Sequence, residues 1–416
     1  MLIDIDNDIL FEVLKVITTM VKDAWGVIYP AFNQSAKSFL VHDKNTFYIK
    51  SSGNIYSEYH SIVIHNIKDH KLFKIKKLEH RNNSDIEICI EPKTKEGLQI
   101  DGQKADKPIK IVNGRCEIFV ESKNLKLIFE ALCDVSENDD LKEIGSDYRI
   151  ISKLGRGGFG VVYKGICTKD HTFCAIKTDK DLKRSKLHQE YIMVKSLQHE
   201  NVIRFLDYKV FGHRQFLVLE LAEGASLSQR ISTSKEGLDE SITKHIFYQV
   251  LEGLSFIHSK GALHRDIKPE NIVLMSLEDY PTAKIIDFGL SCFNNAHDIN
   301  RVVGAYRFLA PELLIKYTWA ESHRLRKVHY TNKVDVWSFG CCLFMTLTTI
   351  LPYEYDRKDL ALYRHRMQDN LIQKDSESYK KLSLKARKVI HDALTFEDYQ
   401  RPTVDSLLNY SWFQKN

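Results

Sequence analysis

The sequence predicts an α+β protein of two domains, a small strand-rich one followed by a larger one. Three observations carry this. The chain has 416 residues, and at about 150 residues per domain that suggests roughly two to three domains. Hydrophobic residues make up 43% and charged residues 28%, a globular composition with enough apolar side chains for sizeable cores. The segment ENDDLKEIGSD at 137–147 is short, polar and rich in turn formers, as expected of a linker. We therefore expect a domain over 1–136, a linker over 137–147 and a second domain over 148–414.

Composition also excludes some functions. From Met1 to Asp147 there are 20 basic and 24 acidic side chains, and the remainder has 40 basic and 31 acidic. The second region is positive but too diluted by acid to argue for nucleic-acid binding. The eight cysteines form no CxxC pair, so buried thiols in a reducing, cytoplasmic setting are expected, with no disulfide scaffold or structural zinc. No apolar run reaches the roughly 18 residues of a membrane span. Residues 1–10 carry three aspartates and no basic flank, so no secretory signal is expected.

The first domain opens with apolar Leu10, Val13, Leu14, Ile17, Met20, Val21 and Ala24 at helical spacing, which predicts a helix over 9–24. Short strands are predicted over 38–42, 46–50, 61–64, 72–75, 85–90, 109–112 and 116–120, divided by turns such as Ser52-Gly53-Asn54 and Asn113-Gly114. A closing helix is predicted from a cap at Asn124 through Leu125, Leu127, Ile128, Phe129 and Leu132. This order loosely resembles a pleckstrin-homology module with an added N-terminal helix. Lys71, Lys74, Lys76, Lys77 and Arg81 make a basic cluster. It reads as a site for acidic lipid or an acidic segment, or, as we favour, the wet face of a strand interrupted by Glu79.

The second domain begins with LGRGGFGVVYKG, in which Gly155, Gly157 and Gly160 fall as G-x-G-x-x-G. That pattern alone also fits a dinucleotide site, which needs a helix opening at the glycines. Here a β-branched run containing Val162 follows, so a hairpin is predicted whose bare backbone can fold over phosphates. The next strand, Phe173 to Lys177, ends on a lysine that needs a partner or a phosphate. Glu190, on a helix predicted over 186–197, can supply the carboxylate. Then comes LHRDIKPENIVL. Asp266 can accept the proton of an incoming hydroxyl, Lys268 can neutralise a phosphoryl group, and Asn271 can offer an oxygen to a metal. Sixteen residues beyond Asn271, Asp287-Phe288-Gly289 ends the strand AKII, and an aspartate there suits Mg2+.

These motifs, with Ala310-Pro311-Glu312, Asp335-Val336-Trp337-Ser338-Phe339-Gly340 and Arg401-Pro402, resemble a eukaryotic-type protein kinase domain over 148–414. The resemblance implies a bilobal fold, a β-rich small lobe with a five-stranded sheet and a helical large lobe. It implies ATP and Mg2+ as cofactors and protein substrates. Gly155, Gly157, Gly160, Val162, Ala175, Lys177, Leu219, Glu220, Ala222 and Val273 would bind ATP, with Leu219 as gatekeeper. Asp266, Lys268, Lys177 and Glu190 would be catalytic, and Asn271 and Asp287 would hold metal. Val194, Phe205, His264 and Phe288 match the family's apolar spine, Glu312 would pair with Arg401, and Asp335 would anchor the catalytic loop. Lys268 resembles serine/threonine kinases. HRDIKPENIVL and the spacing are most similar to the calcium/calmodulin-dependent and calcium-dependent group. No D-x-[DN]-x-[DN]-G loop occurs, so calcium-binding modules are not expected. With the sequence ending at Asn416, neither is an inhibitory tail.

Two departures stand out. The family commonly has threonine where Ala305 follows Gly304, and its hydroxyl contacts the catalytic aspartate and lysine. Alanine keeps none of this hydrogen bonding, so a reduced rate or a relaxed hydroxyl preference is foreseen. The segment CFNNAHDINRVV at 292–303 also lacks serine, threonine and tyrosine, where Arg265 would normally meet a phosphorylated residue, and Asp298 is a candidate substitute. Second, Glu312 to Asp335 spans a long segment with Arg324, Arg326, Lys327 and His329. It reads as a solvated extension in preference to a docking surface.

The leading expectation is a protein serine/threonine kinase independent of activation-loop phosphorylation, with a regulatory or targeting N-terminal domain that takes a lipid or protein ligand. The alternatives are a pseudokinase scaffold and a kinase for small molecules or lipids.

Overall fold

The fold is given by a computed structural model. It describes residues 24–30, 39–42, 46–50, 55–58, 61–65, 71–78, 87–92, 98–105, 109–111, 115–120, 125–131, 144, 147–157, 160–170, 172–179, 186–211, 214–276, 278–293, 302–318, 331–356 and 358–414. It forms two compact units, one of Met1–Leu182 with Lys209–Phe216 and one of Lys183–Tyr208 with Leu217–Asn416.

Among the described residues, twelve strands precede residue 132. They are β1 (Ala24–Pro30), β2 (Phe39–His42), β3 (Thr46–Lys50), β4 (Ile55–Glu58), β5 (Ser61–His65), β6 (Lys71–Leu78), β7 (Glu87–Pro92), β8 (Leu98–Ile100), β9 (Gln103–Lys104), β10 (Ile109–Ile111), β11 (Arg115–Val120) and β12 (Leu125–Ala131). They make two six-stranded sheets, ordered β2-β1-β12-β11-β8-β9 and β10-β7-β6-β5-β3-β4. β3 and β5 run parallel, and the hairpins β6–β7 and β11–β12 are antiparallel. Ile100 and Ile118 face each other in the first sheet and are buried, as is Ile90 in the second.

The predicted strands recur here, and the closing helix does not. Residues 125–131 form β12, which pairs with β11 on one side and β1 on the other. The sequence LKLIFEA satisfies both periods, and pairing decided between them. Val120 meets Leu125 across a four-residue connection, so the segment completes a hairpin and fills a central place in its sheet. The helix predicted over 9–24 lies outside the described residues, except that Ala24 opens β1.

The next strands are β13 (Tyr148–Gly157), β14 (Gly160–Cys167), β15 (Phe173–Asp179), β16 (Phe205–Phe211) and β17 (Arg214–Glu220), in a sheet ordered β13-β14-β15-β17-β16. Helix α1 (Leu187–Ser196) lies in sequence between β15 and β16. The glycines sit in the β13–β14 hairpin, Gly157 opposite Gly160, and a strand follows them, which removes the dinucleotide reading. Asp147, at the entry to β13, pairs with Lys169 at 3.0 Å and with Lys209. Hydrogen bonds from Lys209 and then Lys169 hold its carboxyl below the usual carboxylate range.

The rest is mainly helical: α2 (Leu227–Ser232), α3 (Glu240–Ser259), α4 (Pro311–Thr318), α5 (Lys333–Thr348), α6 (Leu360–Gln368), α7 (Glu377–Lys381), α8 (Leu384–Ala393) and α9 (Val404–Leu408). Short strands β18 (Ala262–Leu263), β19 (Ile272–Leu274), β20 (Ala283–Ile285) and β21 (Cys292–Phe293) pair as β18–β21 and β19–β20. Together these elements form a bilobal kinase fold preceded by an N-terminal β-sheet region. Side-chain caps start the helices: Asp239 accepts from the N–H groups of Ser241 and Ile242, and Ser383 from that of Ala386. Helix α5 is the core, buried almost throughout and packed on α3 and α8. A Cβ on its Gly340 would stand 2.9 Å from the Ala393 Cβ and 3.0 Å from a Leu394 methyl. Arg401, fully enclosed, grips both carboxylate oxygens of Glu312 at 3.0 and 3.1 Å and lies over the Trp337 ring. Burial pushes the Cys174 thiol up to about 12, and Cys341 and Cys342 are equally enclosed, as thiols that pack and do not react.

Gly340→Val forces branched carbons between α5 and α8. We expect a loss of about 1–3 kcal/mol in urea unfolding, against little change for a substitution at the exposed Leu384.

Candidate active site

The site grows from one buried carboxylate. Asp335 sits in the first turn of α5 with no solvent exposure. Its Oδ2 accepts the backbone N–H of His264 at 2.9 Å, and its Oδ1 that of Arg265 at 2.8 Å. His258, in the last turn of α3, bonds Oδ2 from a third direction at 2.9 Å. Burial alone would raise this acid. The His258 hydrogen bond and charge, with His264, outweigh it and hold the carboxyl below its ordinary value. The anchor matters because Arg265 has φ +66, a left-handed conformation that costs a bulky residue about 1–3 kcal/mol.

That bend delivers Asp266, which is 5% exposed. Its Oδ2 accepts from Lys268 Nζ at 2.5 Å and from Asn271 Nδ2 at 2.9 Å, and its Oδ1 from the Ala305 N–H at 3.0 Å. Asn271 also donates to the Asp266 carbonyl at 2.8 Å, which spends its amide hydrogens and leaves Oδ1 as the acceptor end. The β19–β20 hairpin brings Asp287 alongside: Ile272 pairs with Ile285, and the Ile286 N–H donates to the Asn271 carbonyl at 2.9 Å. Asp287 has φ +67. Two oxygen donors from one hairpin fit a hard divalent cation that takes its remaining ligands from phosphate and water.

His264 holds the two loops together. Its Nε2 meets the Ile286 carbonyl at 2.9 Å, and its ring meets Phe288 edge to face at 5.0 Å. Helix α1 packs on the turn Phe288–Leu290, with Val194 and Phe288 both buried. Glu190 lies on this helix, also buried. Arg265 donates from Nε to the Leu290 carbonyl at 2.6 Å. Asp298 and most of the basic insertion lie outside the described residues.

Leu219 and Glu220 end β17, with Ala222 just beyond. The Glu220 carboxylate is held by Lys284 Nζ at 2.8 Å and the Arg204 N–H at 2.6 Å, and its own N–H donates to the Arg204 carbonyl at 3.0 Å. Val273 lies on β19 and bridges to Ser226. Ser226 caps α2 in a reciprocal pair with Gln229. In the other unit, Val162 stands opposite Lys177 and Lys164 opposite Ala175 across β14 and β15. Lys177 is buried. Gly160 has φ +125, and a Cβ there would meet the Thr178 carbonyl at 2.2 Å. Gly155 has open space around it. Close approach of the neighbouring strand, more than phosphate access, therefore demands glycine at 160.

Sequence reasoning missed two groups. His258 lies 77 residues from Asp335 with no motif to announce it. The Ala305 N–H belongs to the backbone, so no residue type reveals it. The expectation concerns only the side-chain hydroxyl that alanine lacks; the bond that the Ala305 amide makes to Asp266 is separate from it.

Comparison with known proteins completes the description. Residues 148–413 match the protein kinase domain family. The chain is 31% identical over 316 residues to calcium-dependent protein kinase 5 of Plasmodium berghei, covering 73% of this chain and 53% of that protein. It is 31% identical over 306 residues to the probable serine/threonine-protein kinase fhkA of Dictyostelium discoideum, covering 66% and 51%. To the serine/threonine-protein kinase chk-2 of Caenorhabditis elegans it is 28% identical over 287 residues, covering 66% and 58%. The chain spans about half the length of these relatives. They are a mixture of calcium-dependent and other serine/threonine kinases, so the likeness expected to the calcium group broadens to serine/threonine kinases at large.

Removing the anchor by Asp335→Ala strands two backbone N–H groups, and we expect a loss of about 3–5 kcal/mol. The Asp335 carboxyl is depressed in the folded state, so its contribution is present above the unfolded value of 3.8 and is lost as pH falls through the lower folded value. Urea titrations of both proteins should show the gap constant at pH 7 and shrinking below about pH 4.

Proposed function

The chain belongs to the protein kinase family, and we propose that it transfers the γ-phosphate of ATP to serine or threonine hydroxyls of proteins. The observation that carries this reading is the hydrogen-bonded cluster of buried Asp266 and Asn271 with half-buried Lys268, and Asp287 beside it. Asp266 receives the proton of the attacking hydroxyl. Lys268, already on the carboxylate, stabilises charge on the transferred group. Asn271 and Asp287 hold Mg2+, which when bound neutralises phosphate oxygens. Lys177 steadies the α and β phosphates, and Glu190 supports it. Gly155, Gly157, Gly160, Val162, Ala175, Leu219, Glu220, Ala222 and Val273 receive the nucleotide. The relatives' printed names as serine/threonine kinases support the substrate class.

We further read the enzyme as independent of activation-loop phosphorylation. Residues 292–303 contain no hydroxyl acceptor, and Arg265 already spends its Nε on the Leu290 carbonyl. Residues 1–136 serve as a regulatory or targeting domain with a lipid or protein ligand, joined through 137–147 to the kinase domain at 148–414. Buried thiols favour a reducing compartment such as the cytoplasm. No helix among the described residues is long and apolar enough to cross a membrane.

Asp266→Asn should abolish phosphotransfer while ATP affinity, read by calorimetry, stays within about threefold. Near wild-type turnover in that variant would remove Asp266 from its role, and nucleotide binding without transfer in the wild type would leave a pseudokinase scaffold. Peptide arrays should show only a weak preference for arginine three residues before the acceptor. Exposed Glu270 is one acid where basophilic relatives use two, and the second place is taken by Ser226, committed to its cap.

A further inference from the structure

We propose that the backbone amide of Ala305, aimed by Gly304, is a positioning donor for the Asp266 carboxylate, at a place where this chain offers no side-chain hydroxyl. The inference rests on the kinase reading above. Lys268 and Asn271 both bond Oδ2 of Asp266, so they leave rotation about its last side-chain bond poorly constrained. The Ala305 N–H, at 3.0 Å from Oδ1, is the contact on the other oxygen. With both oxygens held the carboxylate plane is fixed, and Oδ1 keeps a lone pair for a substrate proton.

The amide is held in turn from both sides. Gly304 has φ +108, and a Cβ on it would stand 2.5 Å from the Arg265 carbonyl oxygen. That oxygen is backbone, and Asp335 pins the N–H of its residue, so it cannot give way. Only glycine lets the chain pass there and turn its next N–H toward Asp266. On the far side, Ala305 has φ −79 and ψ 119, and its carbonyl accepts the Phe308 N–H at 2.9 Å. The Ser338 hydroxyl holds the Phe308 carbonyl at 2.8 Å, and the Tyr363 hydroxyl holds that of Arg307 at 2.9 Å. A hydroxyl on residue 305 would act through a rotatable bond. The amide acts through a backbone already fixed at both ends, so its orientation costs little at the moment of transfer.

The test is an amide-to-ester exchange in the full chain, with L-lactic acid in place of Ala305, which deletes the N–H and adds no bulk. We expect kcat to fall about tenfold to a hundredfold, the loss of one hydrogen bond to a charged group, with KM for ATP within about twofold. A merely structural role would move unfolding and leave that split absent. Gly304→Ala should show the same split. A second readout needs no activity: amide hydrogen exchange at Ala305 should quicken at least about tenfold in Asp266→Ala. The proposal is overturned if the ester keeps wild-type kcat, or if Ala305 exchanges equally in both proteins. If the wild type transfers no phosphate, the kinase reading fails and the exchange experiment alone still decides the amide's role.

Discussion

Asp335 takes two backbone N–H groups, from His264 and Arg265, while His258 closes its remaining side. All of this happens without solvent in the first turn of a helix buried almost throughout. The arrangement stabilises a left-handed residue in the loop that follows. Through that one bend it sets the direction of Asp266, the wall against which Gly304 passes, and the place of His264 against Phe288. A charge so enclosed is costly unless fully bonded. Its three hydrogen-bond partners answer that cost, and the geometry they fix holds the Asp266 carboxylate in place.

The site is also economical in charge. Lys268 and Asn271 meet on one oxygen of Asp266, and the backbone supplies the other contact. Arg265 is turned onto the Leu290 carbonyl, and helix α1 rests on the turn that follows Asp287. These contacts come from the chain itself.

Much of this was legible in the sequence because polar residues at fixed spacing have few other uses. The motifs around Asp266, Lys268, Asn271 and Asp287 were read from the sequence; Lys268 and Asn271 bond Asp266, and one hairpin brings Asn271 and Asp287 together. Helix 187–196 and the glycine hairpin followed from apolar period and β-branched flanks. Other parts were not legible. Leu125 to Ala131 fits a helix or a strand, and only its partners, β1 and β11, choose between them. His258 acts across 77 residues. The need for glycine at 160 comes from the Thr178 carbonyl, on a strand that the local pattern does not place. The Ala305 amide is common to every residue but proline, so composition cannot mark it.

In the function proposed above, the site's order is internal, set by Asp335 and the backbone around Ala305 and not by an added phosphate. The most direct measurement is the time course of phosphate transfer from labelled ATP to a degenerate serine/threonine peptide pool, using full-length protein shown by intact mass to carry no phosphate. Transfer that is linear from the earliest time point, on protein whose mass is unchanged over that interval, is the predicted result. A lag that ends as the protein itself gains phosphate, or activity seen only after such a gain, would contradict it.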